Sequence, residues 1–277
     1  MTSHRVWFIV ISVKAATEPQ IIDPGLLILA YRAGLFPMAD SRDDPEIFWV
    51  EPRRRAILPL SGFHLSQSLA RTLRRGRFRV TCNAAFDAVM VGCAAPRSDG
   101  NGETWISDRI KQTYVALHAG GLAHSIECWQ DEQLVGGLYG VGFDRVFCGE
   151  SMFSRVPDAS KVALAWLVAA LRHGGAELLD CQFMTPHLAS LGAIEISQKR
   201  YVELLKTAQR PYSTEGAAGA GAGVAAAEGL AAGDDSGAGV GAVSLPEGFA
   251  ALLGAAKAAG SASSPGNFIA QSLTQTS

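Results

Sequence analysis

The sequence predicts a mixed α/β (α+β) fold: a small N-terminal unit over residues 1–61, an α/β domain over 62–209, and a low-complexity tail over 210–277. Apolar stripes at helical spacing, each ended by glycine, alternate with short β-rich runs in the middle of the chain. Three such runs follow one another through tight turns between His124 and Gly149, the mark of an antiparallel meander. Beyond residue 212 the chain turns to Gly and Ala, with too little apolar side chain to offset ordering entropy, so this tail is expected to be disordered.

In chain order, Val6–Val13 is an apolar run too short to span a membrane, which needs about twenty residues. It reads as a strand or as an incorrectly assigned start. Leu26–Ala33 reads as a helix closed by Gly34. Leu35–Pro37 and Ile47–Val50 are apolar segments on either side of a polar loop. Leu65, Leu69 and Leu73 recur at spacing four and predict a helix ended by Gly76. A strand begins at Arg79, and Phe86–Cys93 reads as a helix. Ile110, Tyr114 and Leu117 mark another helix, ending at Gly120-Gly121. The meander takes His124–Trp129, Leu134–Tyr139 and Arg145–Gly149, with turns at Gln130–Glu132 and near Gly142. The helix after Asp158 is apolar nearly all round, with Trp166 opposite Leu164, Leu167 and Leu171, so it must be buried. Glu177–Gln182 is the next strand. Phe249–Leu253 and Asn267–Ser277 are expected to dock weakly or not at all.

A formal net charge of −2 gives the whole chain no preference for polyanions. The five cysteines are scattered without a CxxC pair, which predicts a reducing, cytoplasmic compartment. The six histidines form no HxxxH or Cys/His cluster, so no metal is expected. One local asymmetry stands out: eight arginines and no acid lie between Arg53 and Arg79. Arg71, Arg74 and Arg75 share the helix face opposite Leu65, Leu69 and Leu73, a pattern that suits a phosphate backbone. No GxxxxGK[ST] or GxGxxG loop points to a bound nucleotide.

The candidate chemistry lies in Phe147–Ser154 and Asp180–Gln182, where two carboxylates and an amide follow apolar strands. Alternation turns Asp180 and Gln182 to one face and Cys181 to the other. Glu150 is expected just past the end of the strand Val146–Cys148. A carboxylate beside an amide can position an amine or a proton, although hydrogen-bonded structural carboxylates look the same in a sequence. Cys181 has no histidine placed to activate it, His124 and His187 read as structural, and Gly149-Glu150-Ser151 is not a nucleophile elbow.

Tyr31–Pro37, Phe48-Trp49 with Pro52, Thr104–Ile106, His124–Glu127, Gly136–Gly140, Phe147–Ser154, Ala159–Lys161 and Asp180–Gln182 with Ala189–Gly192 occur in that order. Together they resemble the leucyl/phenylalanyl-tRNA–protein transferase family, over about residues 26 to 206. The resemblance implies an enzyme that moves Leu or Phe from tRNA to the α-amine of proteins beginning with Arg or Lys, marking them for degradation. It implies a small N-terminal domain followed by one similar to the acyl-CoA N-acyltransferase (GNAT-like) fold. An aminoacyl ester is already activated, so no cofactor is implied beyond Leu-tRNA or Phe-tRNA as co-substrate. It also implies a monomer.

Carried over position by position, the resemblance implies Asp180, Gln182 and Glu150 as catalytic, with Asp180 orienting Gln182 and Glu150 holding the basic N-terminal residue. The aminoacyl pocket falls on Trp105, Leu138, Phe147, Met152, Leu164, Leu167 and Leu171, and the 3′-adenosine on Tyr31 and Met38. Arg71, Arg74 and Arg75 fall on the tRNA-contacting helix. Where relatives carry tryptophan after the Phe-Pro pair this chain has Met38, which removes an aromatic partner for the terminal adenine. Leucines at 167 and 171, where phenylalanine occurs in the family, imply a pocket wide enough for Phe. Two other readings stay open: a coenzyme A-dependent acyltransferase, and a tRNA-binding protein without catalysis. Residues 151–158 lack the glycines that a pyrophosphate loop requires, which weighs against the first.

Overall fold

The computed structural model describes residues 21–42, 44, 46–96, 104–210, 244–259 and 265–274. The apolar run Val6–Val13 and the Gly/Ala stretch 211–243 lie outside the described residues.

The small unit begins with α1 (Pro24–Arg32), where Asp23 Oδ1 accepts the Leu26 N–H at 2.8 Å and Pro24 occupies the first turn. Gly34, at φ +86°, then reverses the chain. Strands β1 (Phe36–Met38) and β2 (Phe48–Val50) pair antiparallel. The next strand, β3 (Arg54–Ile57), falls within the span assigned to the small unit, yet it is part of the large sheet.

Next come α2 (Gln67–Arg74), capped by Ser66 and followed by Gly76 at φ +60°, then β4 (Arg79–Cys82) and α3 (Phe86–Ala94). Helix α4 (Asp108–Ala119) is capped by Ser107. The meander is β5 (Ala123–Gln130), β6 (Gln133–Phe143) and β7 (Val146–Ser154). Asp131 and Glu132 make the first turn with φ of 49° and 60°, values that suit a two-residue hairpin. The second turn is at Asp144-Arg145; Gly142, expected there, is still within β6. Helix α5 (Ala159–His173), β8 (Leu178–Gln182), α6 (Pro186–Ser190), β9 (Ile194–Ser197) and α7 (Gln198–Ala208) follow.

The seven-stranded sheet runs β4-β5-β6-β7-β8-β3-β9, antiparallel except for the parallel pair β7-β8. Side-chain alternation gives it two apolar faces: Ile126, Leu138 and Leu179 pack toward α5, while Tyr139, Val141 and Leu178 pack toward α1, α3, α4 and α7.

Two features open the sheet at its centre. The β7-β8 pairing ends at Cys148↔Asp180, and the β6-β7 register shifts between Tyr139↔Ser151 and Gly140↔Gly149. Glu150 is therefore the extra residue of a β-bulge, not the first residue after a strand, as expected from the sequence. Bulges bend a strand and redirect a side chain, here toward the gap between β7 and β8. Gly140 makes the bulge possible, because a Cβ there would lie 2.2 Å from the Cys148 carbonyl oxygen.

The tail departs from expectation as well. Helices α8 (Leu245–Ala258) and α9 (Pro265–Thr274) are ordered and dock on the body through buried Leu245, Phe249, Leu252 and Leu273. Phe249 meets Trp166 at 5.5 Å between ring centroids. These helices cover the outer side of α5, which explains why α5 is apolar nearly all round.

Candidate active site

Glu150 leaves the bulge into a cluster of three donors. Tyr31 Oη donates to Oε1 at 2.6 Å, Tyr114 Oη donates to Oε2 at 3.0 Å, and Gln182 Nε2 donates to Oε1 at 2.8 Å. The two tyrosine hydroxyls also touch each other. Burial pushes both phenols well above their usual range, so they remain protonated donors. With its amide nitrogen committed to Glu150, Gln182 keeps its carbonyl oxygen as an acceptor at the end of β8. Gln182 has φ +61°, a left-handed backbone that is costly for a side chain with a Cβ.

Asp180 lies behind this cluster, fully buried. Arg55 Nε donates to both its oxygens, at 2.9 and 3.1 Å, and Arg55 Nη2 and Tyr201 Oη donate to Oδ2. Arg55 is itself 1% exposed, held between the Phe36 and Tyr201 rings at 4.7 and 4.4 Å, and donates to the Gly34 carbonyl. Asp180 reaches Gln182 only through the backbone, accepting its N–H at 2.8 Å. The carboxylate bound to the Gln182 side chain is thus Glu150. As the alternation predicts, Cys181 packs toward the α5 core while Asp180 and Gln182 face the other side, where they meet different partners: Arg55 and Tyr201 for Asp180, Glu150 for Gln182.

A cleft of about 890 Å³ opens where β7 and β8 part. Glu150, Gln182, Trp105, Leu138, Met152, Leu164, Leu167 and Met38, all expected at the site, line it. Four others do not. Asp180 is behind the wall, Tyr31 is 1% exposed beneath Glu150, Phe147 fills the space beside Gly140 and Gly142, and Leu171 is in the core. Lining residues not singled out include Phe183, edge-on to Phe36 at 5.6 Å, and Arg155 at the rim. Tyr139 also lines the cleft, and its buried hydroxyl has no hydrogen-bond partner among the described residues. Arg55 was hidden by distance: its partner is 125 residues away in the chain.

Burial pushes the Glu150 carboxyl up to about 7, against the opposing pull of the Tyr31, Gln182 and Tyr114 hydrogen bonds. Its ordinary value is 4.5, so folding favours the protonated form. That contribution to stability is complete below about pH 4.5 and is lost as pH rises through about 7. Glu150→Gln should therefore flatten the fall in melting temperature between pH 5 and pH 8. Parallel curves for variant and wild type would contradict the raised carboxyl.

The other candidate acid–base groups are suppressed. Burial raises the Cys181 thiol far above its usual range, and lowers His124 to about 4, where the neutral ring meets Asn83. His187 lines the cleft with a lowered pKa, from burial and then Lys161, and its Nε2 has no partner among the described residues. Among the described residues no group of three His, Cys, Asp or Glu could hold a metal ion. No helix among them is long and apolar enough to cross a membrane.

Arg71, Arg74 and Arg75 project from α2 away from buried Leu69 and Leu73, with no acid paired to them among the described residues. Thr72 of the same helix donates to Asp158 at the start of α5, which places α2 near the Arg155 rim of the cleft. Four of the other five arginines of the basic run are engaged: Arg54 with Glu195, Arg79 with Glu132, Arg77 over Phe78, and Arg55 as above.

Sequence comparisons cover the same residues. The family description "leucyl/phenylalanyl-tRNA protein transferase" matches residues 57–206, and that family's N-terminal domain matches residues 21–53. A protein of Novosphingobium aromaticivorans named leucyl/phenylalanyl-tRNA–protein transferase is 68% identical over 266 residues, 94% of this chain and 98% of that relative. Proteins of the same name from Rhizorhabdus wittichii and Zymomonas mobilis are 58% and 56% identical over 72% and 70% of the chain, and 79% and 72% of their own lengths. With both family domains and the cleft between β7 and β8 in place, the chain belongs to the leucyl/phenylalanyl-tRNA–protein transferase family.

Proposed function

We propose that the chain transfers Leu or Phe from aminoacyl-tRNA to the α-amine of proteins that begin with Arg or Lys, marking them for degradation. The observation that carries this reading is the Gln182 amide, fixed by Glu150 over an apolar cleft floor. The donor is an ester, and its reaction with an amine gives an amide and a free ribose hydroxyl. No redox partner or ATP is required. The aminoacyl side chain lies among Leu138, Met152, Leu164 and Leu167, and the Gln182 carbonyl oxygen accepts an N–H of the incoming amine. Holding the amine against the ester supplies rate through positioning. Glu150 is the sole acid among the described lining residues, and a cationic first residue on the acceptor would favour its ionised form on binding.

The domain carrying the cleft is read as GNAT-like, supported by the parting of the parallel pair β7-β8. Coenzyme A fits poorly. The connection Arg155–Asp158 has no glycine, and Asp158 puts a carboxylate at the start of α5, where a pyrophosphate would sit. We therefore read aminoacyl-tRNA as the co-substrate, with no metal or other cofactor. Five free cysteines support a cytoplasmic location, and the family resemblance supports a monomer.

Radiolabelled Leu-tRNA with an Arg-starting peptide should yield labelled peptide, and acetyl-CoA should yield none. Label from acetyl-CoA alone would favour the coenzyme A reading. Phe-tRNA should serve as a donor alongside Leu-tRNA, since an apolar pocket separates side chains by only about 1–3 kcal/mol per methylene. Strong exclusion of Phe would refute the wide pocket. Charge reversal of Arg71, Arg74 and Arg75 should weaken tRNA binding and lower its salt slope by roughly 0.7–0.9 per lost phosphate contact. An unchanged slope would remove α2 from the interface.

A further inference from the structure

We infer that the C-terminal helix pair positions the arginine helix: α9 holds α2 where Arg71, Arg74 and Arg75 can meet the nucleic acid. This rests on the reading of the chain as a tRNA-dependent transferase. Helices α8 and α9 lie beyond the residues matched to the family, 57–206, yet they dock on the body through an apolar face.

The contact with α2 is backbone on backbone. A Cβ on Gly266 would lie 2.0 Å from the Leu73 carbonyl oxygen, so glycine alone lets α9 reach this depth. Leu73 lies between Arg71 and Arg74 in the chain, so a shift at this contact moves the arginine face. On its other side α9 is tied to α5. Arg172 Nη1 donates to the Ser272 carbonyl at 3.1 Å, and its Nε donates to the Leu60 carbonyl at 2.7 Å. His173 and Phe268 add a ring contact at 6.3 Å.

Besides α9, the end of α2 is held by the buried Leu73 side chain and by the Thr72–Asp158 hydrogen bond. The helix has 8 residues, a length at which packing and not intrinsic propensity sets position. Beside its C-terminal end lies a cavity of about 320 Å³, bordered by Leu73, Gly76, Trp166, Pro265 and Gly266. α9 carries no charged side chain, so its effect on nucleic acid binding passes through α2.

The test is Gly266→Leu in the full chain. It should weaken tRNA binding about tenfold. Transfer from leucyl-adenosine should keep its rate and KM, because the cleft proposed to hold it is lined by no residue of α2. Leu273→Ala loosens the same helix more gently and should shift tRNA binding in the same direction if Gly266→Leu does not fold. Unchanged tRNA affinity in a folded variant, or equal losses with both donors, would overturn the inference. A wild-type protein that binds tRNA but transfers nothing would sink the proposed function alone, since the binding comparison still decides the role of α9. A wild-type protein that binds no tRNA would sink both.

Discussion

Gln182→Gly should lower the rate of transfer by about 10²-fold or more while leaving the protein as stable as wild type. The substitution removes the amide that Glu150 orients, and with it the acceptor oxygen proposed to hold the amine. It also relieves a backbone at φ +61°, which glycine adopts freely. Activity and stability are thereby separated at one position: a strained residue is kept for its side chain. Single-turnover transfer and thermal unfolding, measured side by side, check both halves. Transfer at the wild-type rate would remove Gln182 from the chemistry. A large drop in melting temperature would show that the side chain serves the fold instead.

Arg55→Leu should have the largest effect on stability, a loss of about 3–5 kcal/mol. The guanidinium is 1% exposed and the Asp180 side chain 0%, so the variant would leave a carboxylate buried without its partner. Arg55→Leu with Asp180→Leu should recover part of the loss, because both charges are then gone. Arg200→Ala, by contrast, breaks an exposed pair with Glu203 and should cost under about 1 kcal/mol. Urea denaturation midpoints of the three variants give the comparison. A single Arg55 variant no less stable than the Arg200 variant would show that Asp180 needs no partner. Arg55 replacement should also slow transfer, because Asp180 accepts the Gln182 N–H.

The elements that local chemistry specifies were readable from the sequence. Helix α1 ends at Gly34, α2 at Gly76 and α4 at Gly120-Gly121, and the meander follows from alternation and turn residues. The apolar surround of α5 correctly demanded burial. Its cover was not found, because the Gly/Ala stretch made everything after residue 212 look unable to dock. Phe249, Leu252 and Leu273 were too few to change that impression by composition, yet they suffice once α5 offers a matching face. Family correspondence brought Glu150, Gln182 and most of the pocket floor together. It could not tell cleft from core for Phe147 and Leu171, because residues on one apolar face look alike until the packing behind them is known. The bulge at Glu150 and the Arg55–Asp180 pair were missed for a related reason. Both depend on which strand lies alongside, and such pairings join residues far apart in the chain.

The most direct measurement is a crystal structure with a leucyl amide of 3′-amino-3′-deoxyadenosine, a stable mimic of the donor ester. The leucyl side chain should lie among Leu138, Met152, Leu164 and Leu167, with its linkage within hydrogen-bond distance of Gln182. Density for the mimic elsewhere on the molecule, with the gap between β7 and β8 empty, would contradict that placement of the reaction.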